Sequence, residues 1–281
     1  MAGRQRTRAG GTAVVAGFLA CVCLGGTGCS GRGAAVEDAR ARAGAPVQVL
    51  RGAADRLRDA GSSRARTSME MATGGTRVTI RGEGEYDYGR QLGRLRVRLP
   101  QGPAGARGQR PITELLAPGA LFMKNRGAGV PADKWVRVDT ATLSDGNLVT
   151  GGATDPFAAA EVLRGTRTAA YLGRTEIAGT AVRHYRGTAD LAVAARRASD
   201  GNRWALDAAA KGFATVEVPF DAYLDDRGRI RELRESYVFV NGRHRGAVAV
   251  SSTTVLHDFG IPVRVRLPGD GDIYAGEIAE E

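Results

Sequence analysis

The feature that most constrains the fold of this chain is a period-two alternation of apolar and polar residues. It is clearest in residues 77–86, 92–99, 215–224 and 263–267. Successive side chains of a β-strand point to opposite faces, so this period is typical of a strand with one buried face. We therefore expect a large sheet that is apolar on one side. The residues predicted to line the space beneath that side are Val78, Ile80, Leu95, Val97, Val216, Val218, Phe220 and Leu224.

Further strands and turns indicate how the sheet is connected. Turn sequences such as Ala178-Gly179-Thr180 and Asp225-Asp226-Arg227-Gly228 separate several of the segments. Consecutive hairpins predict an antiparallel meander. The remaining strands are predicted at residues 65–71, 121–125, 135–139, 169–177, 181–189, 230–241 and 246–257.

Helices are predicted before and between these strands. Residues 47–60 place apolar side chains at helical spacing, and Gly61 follows as a C-terminal cap. In residues 155–163, Asp155 is suited to the N-cap and Pro156 to the first helical position. One or two more helices are predicted between Leu191 and Lys211. Since no linker divides residues 47–281, we expect one α+β domain in which a curved antiparallel sheet covers a few helices.

The N-terminal residues resemble an export signal. Arg4, Arg6 and Arg8 precede the apolar stretch TAVVAGFLACVCL, residues 12–24. This stretch is shorter than the roughly 20 residues that a membrane-spanning helix requires. It therefore predicts a signal sequence, which is removed after export, and not a permanent span.

Cys29 is predicted to be lipidated. Thr27-Gly28-Cys29-Ser30 resembles a lipobox, although Gly26 stands where that pattern usually has Leu. Cleavage after Gly28 would remove Cys21 and Cys23, and the remaining thiol has no internal partner for a disulfide. Ordinary secretory cleavage nearby is the alternative. The Gly- and Ala-rich residues 29–46 are typical of a flexible tether with a reach on the order of 20 Å. The predicted location is the extracytoplasmic face of the cell membrane.

The chain is basic, with a formal net charge of +10. Export argues against nucleic acid as the partner and leaves anionic lipid head groups or cell-wall polyanions. Neighbouring strands would bring together an arginine stripe for which head-group contact is one interpretation and a solvated face the other. The stripe consists of Arg94, Arg96, Arg98, Arg264 and Arg266.

The order of these elements resembles the LolA-like lipoproteins, and most closely the LppX/LprG type of actinobacterial lipid carriers. The segments that carry the resemblance are Leu121–Lys124, Lys134–Val136, Asp155-Pro156, Leu172-Gly173, His184–Gly187, Asp221–Ile230 and Asp258–Gly260. The resemblance implies a half-barrel that wraps helices around a hydrophobic cavity for acyl chains. The alternative is that the apolar faces close into a packed core.

Catalytic and metal chemistry find little support in the sequence. His184, His244 and His257 lack the spacing of a metal site, and Asp225 and Asp226 suit a turn better than a calcium loop. The sequence therefore predicts neither catalysis nor a cofactor, and the resemblance implies a carrier or sensor that binds lipid or glycolipid. A protein-interaction or stress-signalling module with the same fold is the second hypothesis, and an envelope enzyme is the third.

Overall fold

Eleven antiparallel strands form a single curved, open sheet in this computed structural model. The structure describes residues 45–73, 76–99, 110–127, 129–149, 154–241 and 246–275. These residues belong to one compact unit, Arg40–Glu281. The predicted signal sequence, Cys29 and nearly all of the tether lie outside the described residues.

The strands form two meanders that meet between the first strand and the last. The order across the sheet is β6-β5-β4-β3-β2-β1-β11-β10-β9-β8-β7. The strands are β1 Ser62–Thr73, β2 Thr76–Asp87, β3 Leu92–Arg98, β4 Ile112–Ala117, β5 Ala120–Lys124, β6 Val136–Asp139, β7 Thr166–Ile177, β8 Thr180–Asp190, β9 Glu217–Leu224, β10 Ile230–Asn241 and β11 Gly246–His257.

In the described part of the chain, five helices pack against one face of this sheet, which we call the inner face. They are α1, residues 45–51, α2 Ala53–Ala60, α3 Pro156–Val162, α4 Leu191–Arg197 and α5 Asp200–Gly212. Short 3₁₀ turns lie at Thr140–Thr142, Leu163–Gly165 and Asp270–Asp272. The predicted cap of α3 is confirmed, because Asp155 Oδ1 accepts hydrogen bonds from the backbone N–H of Phe157 at 2.7 Å and of Ala158 at 3.1 Å.

The core lies between the inner face and the helices. α3 is buried along its whole length and is therefore the central helix of the concave side. Alternation along β3 matches the prediction, since Leu95 and Val97 are fully buried while Arg94, Arg96 and Arg98 are exposed. The one-sided apolar sheet expected from the sequence is therefore confirmed.

The predicted strand at residues 263–267 is wrong. Residues 261–274, here called the C-terminal strap, cross the opposite, outer face of the sheet. Ile273 forms an isolated β-bridge with Trp135, but residues 263–267 pair with no strand. Val265 packs there against Leu115 and Phe122. Pro262 and Pro268 flank residues 263–267, and proline donates no backbone hydrogen bond to a neighbouring strand. Its alternation reflects one-sided packing of an extended chain.

Strand β4 was not predicted, because the strap covers its outer face as well. Ile112 and Leu116 face the helices, whereas Leu115 contacts the strap. Burial on both faces removes the polar residues that would mark a strand by alternation. The strap is held at its far end by hydrogen bonds from Trp135 N to Asp272 O at 2.9 Å and from Tyr274 N to Trp135 O at 2.8 Å.

Candidate functional site

The predicted lining residues of the inner face mostly occupy the core. Leu95, Val97 and Leu224 have no exposed surface, and Val218 and Phe220 are 1% and 3% exposed. Side chains without accessible surface contact other atoms on all sides. In this structure these residues therefore border no open space, and their role in lining a lipid cavity stays a prediction.

Val216 differs from the other predicted lining residues. Strand β9 begins one residue later, at Glu217, and Val216 is 39% exposed. Its backbone carbonyl accepts a hydrogen bond from Leu191 N at 2.9 Å, so the segment before β9 follows the start of α4. The alternation therefore extends two residues beyond the actual strand, and Val216 does not share its buried face.

A small void lies between the helices and the sheet. A void of about 10 Å³ lies among Leu116, Ala120, Asp155, Ala158 and Ala205, at the contact of β4 and β5 with the helices. About this volume is needed to admit one water molecule. It cannot hold an acyl chain without movement of the helices.

The inner face is less closed at one end, which we call the distal rim. The rim consists of Met71 and Val78, paired across β1 and β2, and Phe239 and Val248, paired across β10 and β11. All four are partly buried and pack against the core. Phe213, just after α5, contacts Phe239 edge-on with the ring centroids 6.1 Å apart. The apolar interior thus continues to the surface at this end.

On the inner face of the described strands, two glutamates have buried carboxyl groups, Glu114 and Glu235. Both oxygens of Glu114 lack a hydrogen-bond partner among the described residues, and its side chain shares a face with Leu95 and Met123, its partners across β3 and β5. Burial raises the pKa of Glu114 to about 8, although Arg126 acts in the opposite direction. Glu114 was not predicted, because β4 was not. The sequence feature that could have indicated it is an acidic residue followed by apolar residues in Ile112–Ala117.

Glu235 is the second buried carboxyl group. It accepts a hydrogen bond from the Tyr237 hydroxyl at 2.8 Å, and burial raises its pKa to about 8. The hydroxyls of Thr67 and Thr254, which pair across β1 and β11, have no partner among the described residues. The interior therefore holds polar atoms whose hydrogen bonds a water or ligand could complete.

The histidines that the structure describes contact acidic neighbours. His184 Nε2 lies 2.6 Å from Asp221 Oδ1, and its ring stacks on Tyr223 with centroids 4.3 Å apart. His257 Nδ1 lies 3.1 Å from Asp258, and His244 lies outside the described residues. Within the described ranges, no group of His, Cys, Asp and Glu could hold a metal ion.

Asp225 has the turn role predicted for it. Its Oδ1 accepts hydrogen bonds from the backbone N–H of Arg227 and of Arg229, both at 3.0 Å, and Gly228 has a positive φ of 78°. The carboxylate thus organises the hairpin between β9 and β10.

The predicted arginine stripe is divided between β3 and the strap. Arg94 pairs with Glu85 at 3.2 Å, and Arg98 pairs with Glu83 at 3.5 Å. Arg264 and Arg266 are exposed on the strap, so they do not extend the stripe through a neighbouring strand. Other arginines, from β1 and β2, join Arg96 and Arg98 in a groove of about 630 Å³ on the outer face.

Strand β7 forms one edge of the sheet and is largely exposed. Tyr171 and Leu172 are 49% and 50% exposed, and Gly173 interrupts the register with β8 at a φ of +117°. An edge strand presents unpaired backbone groups to which another extended chain can bind.

No helix in the described part of the chain is long and apolar enough to cross a membrane.

Comparison with known proteins finds similarity at the level of the fold. No family model matches the chain, and no curated protein matches it significantly. Lipoprotein LppX of Mycobacterium tuberculosis is 11% identical, with a TM-score of 0.47 over 79% of this chain and 98% of LppX. LprF of Mycobacterium bovis is 14% identical, with a TM-score of 0.40 over 79% and 96%. A LolA superfamily protein of Nitrosomonas europaea is 10% identical, with a TM-score of 0.34 over 76% and 94%.

Proposed function

We propose that this chain is an exported lipoprotein that binds acyl chains of a lipid or glycolipid at the distal rim and catalyses no reaction. The observation that carries the proposal is the rim itself, where the apolar inner face reaches the surface beside Phe239 and Met71. An acyl chain placed there would extend the core. Each buried methylene contributes about 0.8 kcal/mol, so ten contribute roughly 8 kcal/mol before ordering costs.

Uptake of an acyl chain requires the helices to move away from the sheet at this end. Beside the rim, Met69, Tyr237 and Val250 are only 1–3% exposed, so side chains already fill the interior there. The segment that moves is the C-terminal end of α5 with Phe213, since Phe213 packs on the rings of Tyr237 and Phe239. Opening there would break the isolated β-bridge between Phe213 and Phe239, with its 2.9 Å hydrogen bond from Ala214 N to Val238 O, and would leave the pairs within the eleven-stranded sheet intact.

The proposed location is the extracytoplasmic face of the cell membrane. Its support is the lipobox-like sequence at Cys29, whose lipidation would add acyl groups that enter the bilayer. The tether places the domain within about 20 Å of that surface. A carrier or sensor of membrane lipids would meet its ligand there.

Native mass spectrometry of the purified protein tests acyl binding. Phe239→Asp places a charge on the rim, and Val238→Asp places the same charge on the neighbouring, outer-facing position of β10, which is 37% exposed. We expect co-purifying lipid in the wild type and in Val238→Asp, and about tenfold less in Phe239→Asp. A wild-type protein that is consistently empty would refute the proposal.

A second candidate function is protein binding through strand β7. The exposed side chains of Tyr171 and Leu172 on a sheet edge favour an extended peptide segment as partner. A photo-crosslinking residue at position 172 would then capture an envelope protein in cells, and the same residue at position 238 would not. Equal capture at both positions, or none, would count against this function.

A further inference from the structure

The outer face carries a cationic groove that the proposed acyl site does not use. It crosses β11, β1, β2 and β3 and encloses about 630 Å³, a volume within the range of small-molecule sites. We call it the arginine groove and define it by Arg66, Arg81, Arg96 and Arg98. The hydroxyl-bearing residues Ser68, Thr79 and Thr253 also line it.

Like charges face one another in one row of this groove, and opposite charges do so in the adjacent row. Arg81 and Arg98 are direct partners across β2 and β3, and Arg66 and Arg96 lie on either side of Glu83 in the adjacent row. Like charges directly opposite each other destabilise a sheet. Their positions follow from the register of the strands, so the cationic side chains stay concentrated here.

Carboxylates neutralise the groove only in part. Glu83 is the acidic side chain among the described lining residues, and it lies 3.5 Å from Arg98. Within the described ranges, Arg66, Arg81 and Arg96 form no ion pair. A bound anion would remove the repulsion between these guanidinium groups and accept hydrogen bonds from them.

The chemistry of the lining residues suits a phosphate ester. Guanidinium groups bind phosphate oxygens through paired N–H donors, and hydroxyl groups can donate to the remaining oxygens. Leu99, 37% exposed, and Val255 add apolar surface at the same groove, which suits the organic part of the ester. We propose that the arginine groove binds a phosphate ester, either a lipid head group or a soluble phosphate compound. This site is independent of acyl binding at the distal rim.

The test compares two double variants of equal net charge. Arg81→Gln with Arg98→Gln removes the facing pair, and Arg56→Gln with Arg203→Gln removes two exposed arginines of α2 and α5. All proteins are the full exported chain with Cys29→Ser, so that an acyl anchor does not bind the vesicles. The probes are glycerol phosphate by calorimetry, and phosphatidylglycerol against phosphatidylcholine vesicles by co-sedimentation.

We expect binding of glycerol phosphate or of phosphatidylglycerol vesicles to weaken about tenfold in the groove variant and to change less than about twofold in the control. Binding of glycerol phosphate identifies a soluble ester as ligand, and binding confined to phosphatidylglycerol identifies a head group. Equal weakening in both variants would show general charge attraction and overturn the proposal, as would absence of binding to either probe. Thermal unfolding of both variants checks that they are folded.

Discussion

Glu114 shows how one residue links burial to pH-dependent stability. Its carboxyl group lies among apolar neighbours and has no hydrogen-bond partner among the described residues. Ionisation there would place a charge in the interior without compensation, apart from the attraction of Arg126. The folded protein therefore holds this proton more tightly than the unfolded chain does.

We predict that the free energy of unfolding falls as the pH rises through neutrality. The pKa of Glu114 is raised from 4.5 to about 8, so the folded state binds an additional proton between these values. The contribution of this proton to the free energy of unfolding is thus fully present below about pH 4.5 and is lost progressively up to about pH 8. Burial of Glu235 acts in the same direction. Chemical denaturation at a series of pH values measures the slope.

The variant Glu114→Gln distinguishes the contribution of Glu114 to this pH dependence from that of Glu235. It should retain stability near pH 8 and show a smaller decrease between pH 5 and pH 8, with the slope reduced by up to about 1.4 kcal/mol per pH unit. Glu176→Gln, at an exposed position on β7, should keep the wild-type slope. An unchanged slope in Glu114→Gln would show that this group does not titrate as burial requires.

The packing of Tyr86 on Gly93 determines how β2 and β3 meet the helices. A Cβ atom at Gly93 would lie 2.4 Å from Tyr86 Cδ2. The ring cannot withdraw freely, because Tyr86 is 1% exposed and its hydroxyl donates to Asp155, the cap of α3, at 3.3 Å. Gly93 thus allows an aromatic side chain to link the sheet to the central helix.

We predict that Gly93→Ala destabilises the protein by about 1–3 kcal/mol, as overpacking of a core typically does. Gly271→Ala is the matched control, since a Cβ there meets nothing within 4 Å. Urea denaturation of both variants gives the comparison. If Gly93→Ala were as stable as the control, the contact between Tyr86 and Gly93 would not be as close as the structure has it.

The C-terminal strap is an element whose packing can be tested separately. On the strap, Val265 packs against strands β4 and β5 and is 9% exposed, whereas Leu267 is 37% exposed. We predict that Val265→Asp releases the strap, because burying the charge costs about 1–3 kcal/mol or more. Limited proteolysis should then cut within residues 261–274 in Val265→Asp but not in Leu267→Asp. Equal resistance would mean that Val265 does not hold the strap.

Alternation predicts strands well where one face is buried and fails where that condition fails. Strands β10 and β11 have the bounds expected from the sequence, residues 230–241 and 246–257. Strand β4 was missed because the strap buries its second face, and the strap was mistaken for a strand because it too has one buried side. Both errors have one cause, since a periodic pattern reports burial and not hydrogen bonding.

At the scale of the whole molecule, the order of the strands could be predicted only within each meander. Turn sequences identify neighbours such as β7 and β8, which pair across Ala178 and Gly179. The pairing of β1 with β11 joins chain segments far apart in sequence, so no local pattern indicates it. The candidate sites share this limit, because the distal rim and the arginine groove each combine side chains from both sides of that junction.

Lipidation of Cys29 would determine where the whole molecule works. If Cys29 is lipidated, at least a diacylglyceryl group is added to it, and two chains hold a protein at a bilayer far more firmly than one does. Cys29→Ser should therefore move the exported protein from the membrane fraction to the soluble fraction and remove the mass of the lipid from the mature chain. The folded domain should be unaffected, since residue 29 precedes residue 45, where the described part of the chain begins.

Cys23→Ser is the matched control for this last prediction, because it makes the same substitution in a segment that cleavage after Gly28 removes. The control should remain in the membrane fraction with the lipid mass intact. Mass spectrometry of the mature N-terminus distinguishes the two remaining cases. A chain cut elsewhere and without lipid indicates ordinary secretion, and the acyl site would then have to take its ligand from solution. A lipidated Cys29 places the distal rim within reach of the membrane that supplies it.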